Sequence, residues 1–124
     1  MSTQWRSGLA ALSALAVGLG AGCGHALSVP AGSTVQVALG EYRLTPANLH
    51  LHPGALTIVA TNVGRLTHNL VVSRGGRTVG SIRPLSPGQR GRVTLTLAPG
   101  SYLVGSTLLS DEALGLYGHL TVGR

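Results

Sequence analysis

Apolar and polar residues alternate along most of the chain from Ser33 onward. Val35, Val37 and Leu39 occupy every second position, and the same spacing returns in later segments. A period of two is typical of β-strands that bury one face. The pattern predicts strands near residues 33 to 39, 42 to 44, 48 to 52, 55 to 62, 66 to 73, 77 to 82, 91 to 97, 101 to 106 and 117 to 123.

Turn-forming residues separate the predicted strands at regular intervals. They occur at Pro53-Gly54, Asn62-Val63-Gly64, Gly75-Gly76, Pro87-Gly88 and Pro99-Gly100. Many short strands with such turns indicate an all-β sandwich or barrel. The exception is Leu108 to Gly115, where Ser110 precedes two acidic residues and good helix formers. A single helical turn is expected there.

The N-terminal region differs in composition from the rest of the chain. Arg6 is followed by Ser7 to Gly40 without a charged side chain, and Leu9 to Ala21 is almost wholly apolar. This arrangement is typical of a signal peptide, and the apolar run is shorter than the ~20 residues of a membrane-spanning helix. The sequence therefore predicts a signal peptide at 1–23, a short tether at 24–32 and one domain at 33–124, the usual size for a single core.

The only cysteine, Cys23, directly follows the apolar run. A bacterial lipoprotein signal places its lipid-modified cysteine there, although Leu19 lies four residues ahead of it where three is usual. Simple secretion is the alternative, because Gly24-His25-Ala26 offers an ordinary small-residue cleavage site. Both alternatives predict an extracytoplasmic protein, either secreted or anchored by lipid at Cys23 to the outer face of the bacterial cytoplasmic membrane.

Several short motifs follow one another along the predicted domain. They are Glu41-Tyr42 with Pro46, Pro53-Gly54, Thr61-Asn62-Val63-Gly64, His68-Asn69-Leu70-Val71-Val72, Pro87-Gly88-Gln89, Pro99-Gly100-Ser101-Tyr102 and Gly115-Leu116-Tyr117-Gly118. In this order and spacing the chain resembles the cupredoxins, the small blue-copper proteins such as plastocyanin and azurin. The resemblance implies a Greek-key β-sandwich.

The resemblance also shows which residues stand at the copper ligands of that family. His68 takes the position of the mid-chain histidine, whereas Ser106, Asp111 and Leu116 take the positions of the Cys, His and Met ligands. A serine hydroxyl stays protonated near neutral pH and cannot replace a soft thiolate. No Cys or Met occurs after Cys23. We therefore predict a degenerate copper site that holds no metal or other cofactor.

Three uses remain open for the altered site. In the first, Asp111 pairs with His68 and fills the space, because buried polar groups need partners. In the second, His68 and Asp111 bind copper or another ion weakly, for delivery or storage. In the third, Ser106, His68 and Asp111 form a hydrolase triad, although no oxyanion-hole motif or nucleophile elbow accompanies them. The prediction is the first use, and hence a protein that is not an enzyme.

A weaker alternative for metal binding comes from the remaining histidines. His50 and His52 lie two apart on one predicted strand, so both project from its outward face. His119 alternates with Leu120 and Val122 in the same way. A surface site for Cu(II), Ni(II) or Zn(II) would form if these strands were neighbours.

The chain is strongly basic, which bears on its partners. It has nine Lys and Arg residues against three Asp and Glu, a net charge of +6 with histidines neutral. All the basic residues are arginines, and Arg74, Arg77, Arg83, Arg90 and Arg92 lie close together. An unidentified protein or an anionic component of the cell envelope is the expected partner. Nucleic acid is not expected, because aromatic side chains for stacking are few.

The sequence therefore predicts a non-enzymatic, extracytoplasmic, cupredoxin-like binding or structural domain without type 1 copper ligands. Metal handling is the alternative function.

Overall fold

The computed structural model describes residues 27–123. These residues form ten strands and one helical turn, arranged along the chain as β1 (Leu27–Val29), β2 (Ser33–Gly40), β3 (Arg43–Thr45), β4 (Asn48–Leu51), β5 (Gly54–Asn62), β6 (His68–Arg74), β7 (Arg77–Leu85), β8 (Arg90–Leu97), β9 (Gly100–Gly105), α1 (Asp111–Leu114) and β10 (Tyr117–Val122). The cysteine and the predicted signal peptide lie outside the described residues.

The strands form two sheets that pack face to face. One sheet has six strands in the order β1-β4-β10-β9-β6-β7, and the other has four in the order β3-β2-β5-β8. Consecutive strands repeatedly cross from one sheet to the other, and β2 and β5 pair in parallel although their neighbours pair in antiparallel. This confirms the predicted Greek-key β-sandwich.

Alternate residues of each strand build the core between the sheets. On β2, Val35, Val37 and Leu39 are buried while the residues between them face outward. On β10, Leu120 and Val122 are buried in the same way. Branched side chains suit a pleated surface that is buried on one face only. The period of two read from the sequence is the period of the core.

The observed elements correct the predicted ones in two places. Leu27–Val29, inside the stretch predicted as a tether, forms β1 and pairs in parallel with β4, where Val29 is buried. Three residues are too few to show alternation, so pattern alone could not reveal this edge strand. The strand predicted at 77 to 82 continues to Leu85, through a proline that an edge strand tolerates.

The segment after β9 contains the predicted helical turn, α1. It extends only over Asp111–Leu114, and the Ser110 side chain makes no capping hydrogen bond. Within residues 27–123, the structure has no helix that is long and apolar enough to cross a membrane.

Truncating Leu70 tests the core beneath the six-stranded sheet. Leu70 is fully buried on β6, whereas Val79 on the neighbouring β7 is 43% exposed. We expect Leu70→Ala to lower the free energy of unfolding by about 2–5 kcal/mol, because it removes buried methyl groups and leaves a cavity. Val79→Ala should change it by less than about 1 kcal/mol. Urea denaturation of both variants measures this, and equal losses would contradict the assigned burial.

Candidate functional site

His68 occupies a core position at one end of the sandwich. It is the first residue of β6, on the inward-facing side with Leu70 and Val72, and opposite Leu85 of β7. Its side chain is fully buried. An imidazole in such a place needs hydrogen-bond partners for both nitrogens, since an unpaired buried polar atom is costly. The end of the sandwich that contains His68 is called the histidine end below.

Two carboxylates bond the imidazole of His68 from opposite sides. Nδ1 lies 2.7 Å from Oδ2 of Asp111, and Nε2 lies 2.5 Å from Oε2 of Glu41. A carboxylate can only accept, so both contacts are hydrogen bonds only when both ring nitrogens carry protons. The geometry therefore fits a charged imidazolium held between two anions.

Ser106 extends this row of hydrogen bonds beyond Asp111. Its hydroxyl donates to Oδ2 of Asp111 at 2.6 Å, so one carboxylate oxygen accepts from both Ser106 and His68. The Ser106 oxygen in turn accepts from the backbone N–H of Asn69 at 3.3 Å. The Asn69 side chain accepts from the backbone N–H of Thr107 at 2.8 Å, which ties β6 to the segment after β9.

Backbone bonds keep this segment in place around Asp111. The N–H of Leu116 donates to the carbonyl oxygen of Asp111 at 2.9 Å, and the N–H of Ser106 donates to that of Leu116 at 3.1 Å. The Leu116 side chain is fully buried in the core. Leu116 thus fills space in the core and offers no donor atom.

Glu41 reaches His68 from the loop between β2 and β3. Its carboxylate also accepts from the backbone N–H groups of Arg65, at 2.8 and 3.0 Å, and of Leu66, at 3.3 Å. A Cβ added at Gly64 would collide with this carboxylate, so the glycine makes room for it. The Glu41 side chain is 22% exposed, and it is the link between His68 and solvent.

A buried asparagine shapes the loop that receives Glu41. Asn62 donates from Nδ2 to the carbonyl oxygens of Leu66 and Leu85, both at 2.8 Å. Its Oδ1 accepts from the N–H of Gly64 at 2.9 Å. These bonds fix the path of residues 62–68, and so the direction of the N–H groups that bind Glu41.

The charges at the site reinforce each other. Burial disfavours the charged form of His68, but the hydrogen bonds to Asp111 and Glu41 outweigh burial and raise its pKa above the ordinary 6.5. For Glu41, the N–H of Arg65 and then the hydrogen bond from His68 lower the pKa below the ordinary 4.5. Both shifts favour the ion pair near neutral pH.

The arrangement does not converge on a point where a metal could sit. Glu41 and Asp111 bond opposite nitrogens of one ring, so the three side chains form a row rather than a cage. Among residues 27–123, no group of three or more His, Cys, Asp and Glu side chains is arranged to hold a metal ion. The donors also do not fit a type 1 copper ion, which needs a thiolate and neutral imidazoles.

The order of the hydrogen bonds also differs from that of a hydrolase. In a serine triad the hydroxyl bonds the histidine, which takes its proton. Here Ser106 bonds Asp111, and Asp111 separates it from His68. Ser106 is also fully buried. The site therefore lacks both an activated hydroxyl and access for a substrate.

The other predicted histidines lie apart from this site. His50 on β4 and His52 just after it have ring centroids 6.4 Å apart. His119 faces outward on the neighbouring β10, but its register partner is Asn48, and its ring packs against Tyr117 at 5.7 Å. The strands are neighbours, as the surface-site alternative required, yet the three rings do not surround a common point.

The surface around the buried row carries exposed apolar side chains. Six large apolar side chains at the histidine end are exposed, and Leu109 among them is 99% exposed with a positive φ of 50°. The six are Tyr42, Val63, Leu66, Leu109, Leu114 and Tyr117. A non-glycine residue with positive φ is uncommon.

Sequence reasoning identified three members of the row but missed Glu41, Asn62 and Asn69. Glu41 was noted only as part of a motif. Composition carried a signal for Glu41. The chain has only three acidic residues, and a buried imidazolium needs two anions beside it. The asparagines gave no comparable signal, since which backbone groups they bond depends on loop paths.

The sandwich and the position of its histidine define the class of fold. Ten strands in two sheets, with an inward histidine at the start of β6 and a helical turn before the last strand, make a cupredoxin-like domain. The fold predicted from the motifs is thereby confirmed.

Comparison with known proteins names the particular neighbours. No protein-family model and no curated protein matches the sequence. The chain is similar to the reduced auracyanin of Roseiflexus castenholzii, with a TM-score of 0.70, 22% identity, and coverage of 76% of this chain and 99% of that one. It is similar to auracyanin A of Chloroflexus aurantiacus, described as a blue copper protein, with a TM-score of 0.68, 20% identity, and coverage of 77% and 100%.

A third solved structure, auracyanin B, has a TM-score of 0.68 and 21% identity, with coverage of 83% of this chain and 97% of that one. Each of the three auracyanins is aligned to this chain over nearly its whole length. The likeness thus covers the entire sandwich rather than one sheet of it.

The pH dependence of stability tests the charged state of His68. Its raised pKa means that the stabilisation is complete below the ordinary value of 6.5 and is lost as pH rises through the raised value. The lowered pKa of Glu41 means that its contribution is complete above 4.5 and is lost as pH falls through the lowered value. We expect the urea midpoint to be highest at pH values above the lowered pKa of Glu41 and below the raised pKa of His68.

The matched control is His68→Gln, which removes the charge and keeps hydrogen-bonding groups. Its midpoint should lose the decline on the alkaline side. A wild-type midpoint that rises from pH 6 to pH 9 would show instead that His68 is buried in its neutral form.

Substitution of Gly64 tests the contact between Glu41 and His68. In Gly64→Ala the new Cβ would displace the Glu41 carboxylate, so the pKa of His68 should move down from its wild-type value. Gly40→Ala is the control, because a Cβ there meets only Val63 at an ordinary 3.6 Å. NMR titration of the His68 ring measures both, and an unchanged titration in Gly64→Ala would contradict the contact.

Proposed function

We propose that this protein is a non-enzymatic, cupredoxin-like binding domain that does not use a type 1 copper centre. The observation that carries the proposal is the engagement of both nitrogens of His68 by the carboxylates of Asp111 and Glu41. In a copper protein of the resembled family, this histidine gives a lone pair to the metal. Here neither nitrogen has one to give while the imidazolium persists.

The residues at the other ligand positions support the same proposal. Ser106 offers a neutral hydroxyl that is already committed to Asp111. Asp111 offers hard oxygen atoms, which suit copper of a redox site less well than thiolate or imidazole. Leu116 offers no donor atom at all. Binding of copper would require loss of a proton from His68 and rupture of two short hydrogen bonds.

A role outside the cytoplasm is the second half of the proposal. It rests on the sequence before the described residues, where Leu9 to Ala21 and Cys23 follow the pattern of an export signal with a lipid attachment point. The domain would then be presented at the outer face of the cytoplasmic membrane, or released if the signal is cleaved without lipid attachment.

Copper titration of the purified protein tests the metal-free half. We expect no intense blue absorption and no retention of stoichiometric copper after gel filtration, because the thiolate that gives type 1 copper its colour is missing. A variant that combines Ser106→Cys, Asp111→His and Leu116→Met is the positive control, since it restores the donors of the family. An intense blue band in the wild-type protein would overturn the proposal.

Colourless binding of one copper ion would instead support the metal-handling alternative. Its loss in His68→Ala would assign the ion to His68 and Asp111. Its loss only in His50→Ala or His52→Ala would assign it to the outward face of β4.

A further inference from the structure

Acidic and basic residues are separated in this domain. From Tyr42 to Ser110 the chain contains no Asp or Glu. Two of the three acidic residues, Glu41 and Asp111, are engaged by His68. The only salt bridges among residues 27–123 are these two, so no described arginine is paired with a carboxylate. The basic surface therefore keeps its full charge toward solvent.

Most of the clustered arginines lie on two strands that are neighbours in space. Strands β7 and β8 are edge strands of the two sheets, and they pack against each other along one side of the sandwich. Arg77 and Arg83 are exposed on β7, and Arg90 and Arg92 are exposed on β8. A Cβ at Gly91 would collide with Ile82, so this glycine allows the close approach of β7 to β8.

Arg74, the fifth arginine of the sequence cluster, is used differently. Its guanidinium lies 5.4 Å from the centre of the Tyr102 ring, and its Nη1 donates to the Tyr102 hydroxyl at 3.3 Å. Arg74 is therefore part of the packing at the far end of the sandwich.

A groove runs over the outward face of the four-stranded sheet beside these arginines. It has a volume of about 380 Å³ and is lined by Thr34, Gln36, Val59, Arg90, Gly91 and Arg92. In register, Gln36 stands beside Val59, and Val59 beside Arg92, so the lining residues form rows across the sheet. The groove thus has an apolar floor, two cations on one side and hydroxyl and amide groups on the other.

The spacing of the two arginines suggests a repeating ligand. Arg90 and Arg92 are two residues apart on one strand, which separates their attachment points by roughly 7 Å. Each guanidinium can bind a carboxylate or phosphate group through two parallel hydrogen bonds. No aromatic side chain lines the groove, so a nucleic acid base has no stacking surface there.

The strand order argues for a polymer rather than a lipid surface. Strand β1 receives the chain from the apolar N-terminal segment, and β1 and β7 lie at opposite edges of the six-stranded sheet. Five strand spacings separate these edges, about 24 Å. A domain held at a membrane through its N-terminus therefore carries the arginines on the side remote from its attachment strand.

We propose that the groove on the four-stranded sheet, with Arg90 and Arg92 at its side, binds an extended linear polyanion that bears phosphate or carboxylate groups at successive positions. Arg77 and Arg83 on the adjoining strand raise the local concentration of such a ligand through their charge. The inference rests on the binding role proposed above, but it is independent of the state of His68.

Binding of two defined polymers tests the inference. Linear polyphosphate and polygalacturonate are titrated into the purified protein, and the affinity for each is measured by calorimetry at two salt concentrations. We expect binding to at least one polymer that weakens with salt. The polymer that binds more tightly distinguishes phosphate from carboxylate recognition.

Paired variants distinguish the groove from the net charge. The double variant Arg90→Gln with Arg92→Gln should weaken binding by about tenfold or more, since two charge-assisted contacts are lost. Arg43→Gln with Arg65→Gln is the matched control, because it removes the same charge at two residues that do not line the groove. It should change affinity by no more than about threefold, because only screened long-range attraction is lost.

Three outcomes would overturn the inference. The first is the absence of binding to both polymers, and the second is an equal loss of affinity in the two double variants. The third is a preference for anionic over neutral vesicles that depends on Arg90 and Arg92, with an affinity higher than that for either polymer. A blue copper centre in the titration described above would overturn the proposed function and leave this result standing.

Discussion

The row of hydrogen bonds from Glu41 through His68 to Asp111 connects parts of the chain that are remote in sequence. Glu41 lies in the loop after β2, His68 begins β6, and Asp111 begins the helical turn after β9. A buried cation is tolerated only with anions placed against it, so these three segments must arrive together. Each added bond, from Ser106 on one side and from the N–H groups of Arg65 and Leu66 on the other, fixes a further loop at the same end of the sandwich.

This row shows how hydrogen bonds hold together one end of a cupredoxin-like sandwich. The polar cluster joins the loop after β2, the start of β6 and the segment after β9 through protons between oxygen and nitrogen atoms. Because each proton joins only two atoms, the result is linear, whereas a metal gathers its ligands around one point.

The use of the acidic residues inside the protein determines the character of its surface. With Glu41 and Asp111 facing His68, few anions remain to offset the arginines of the edge strands β7 and β8. The surface is therefore divided into an apolar end around Leu109, a basic side on β7 and β8, and a face with exposed histidines near β4. This division of the surface is consistent with the binding role that we propose.

The sequence by itself determined the fold class, the turns and the inward-facing residues, because alternation and turn chemistry are local properties that the sandwich preserves. It also placed His68, Ser106 and Asp111 together through the order of its motifs. Only the tertiary structure decided that Glu41 completes the row, that Ser106 bonds Asp111 and not His68, and that Leu27–Val29 adds a strand. These depend on which loops meet at one end and which edge is left open, and such contacts join residues that no local pattern links.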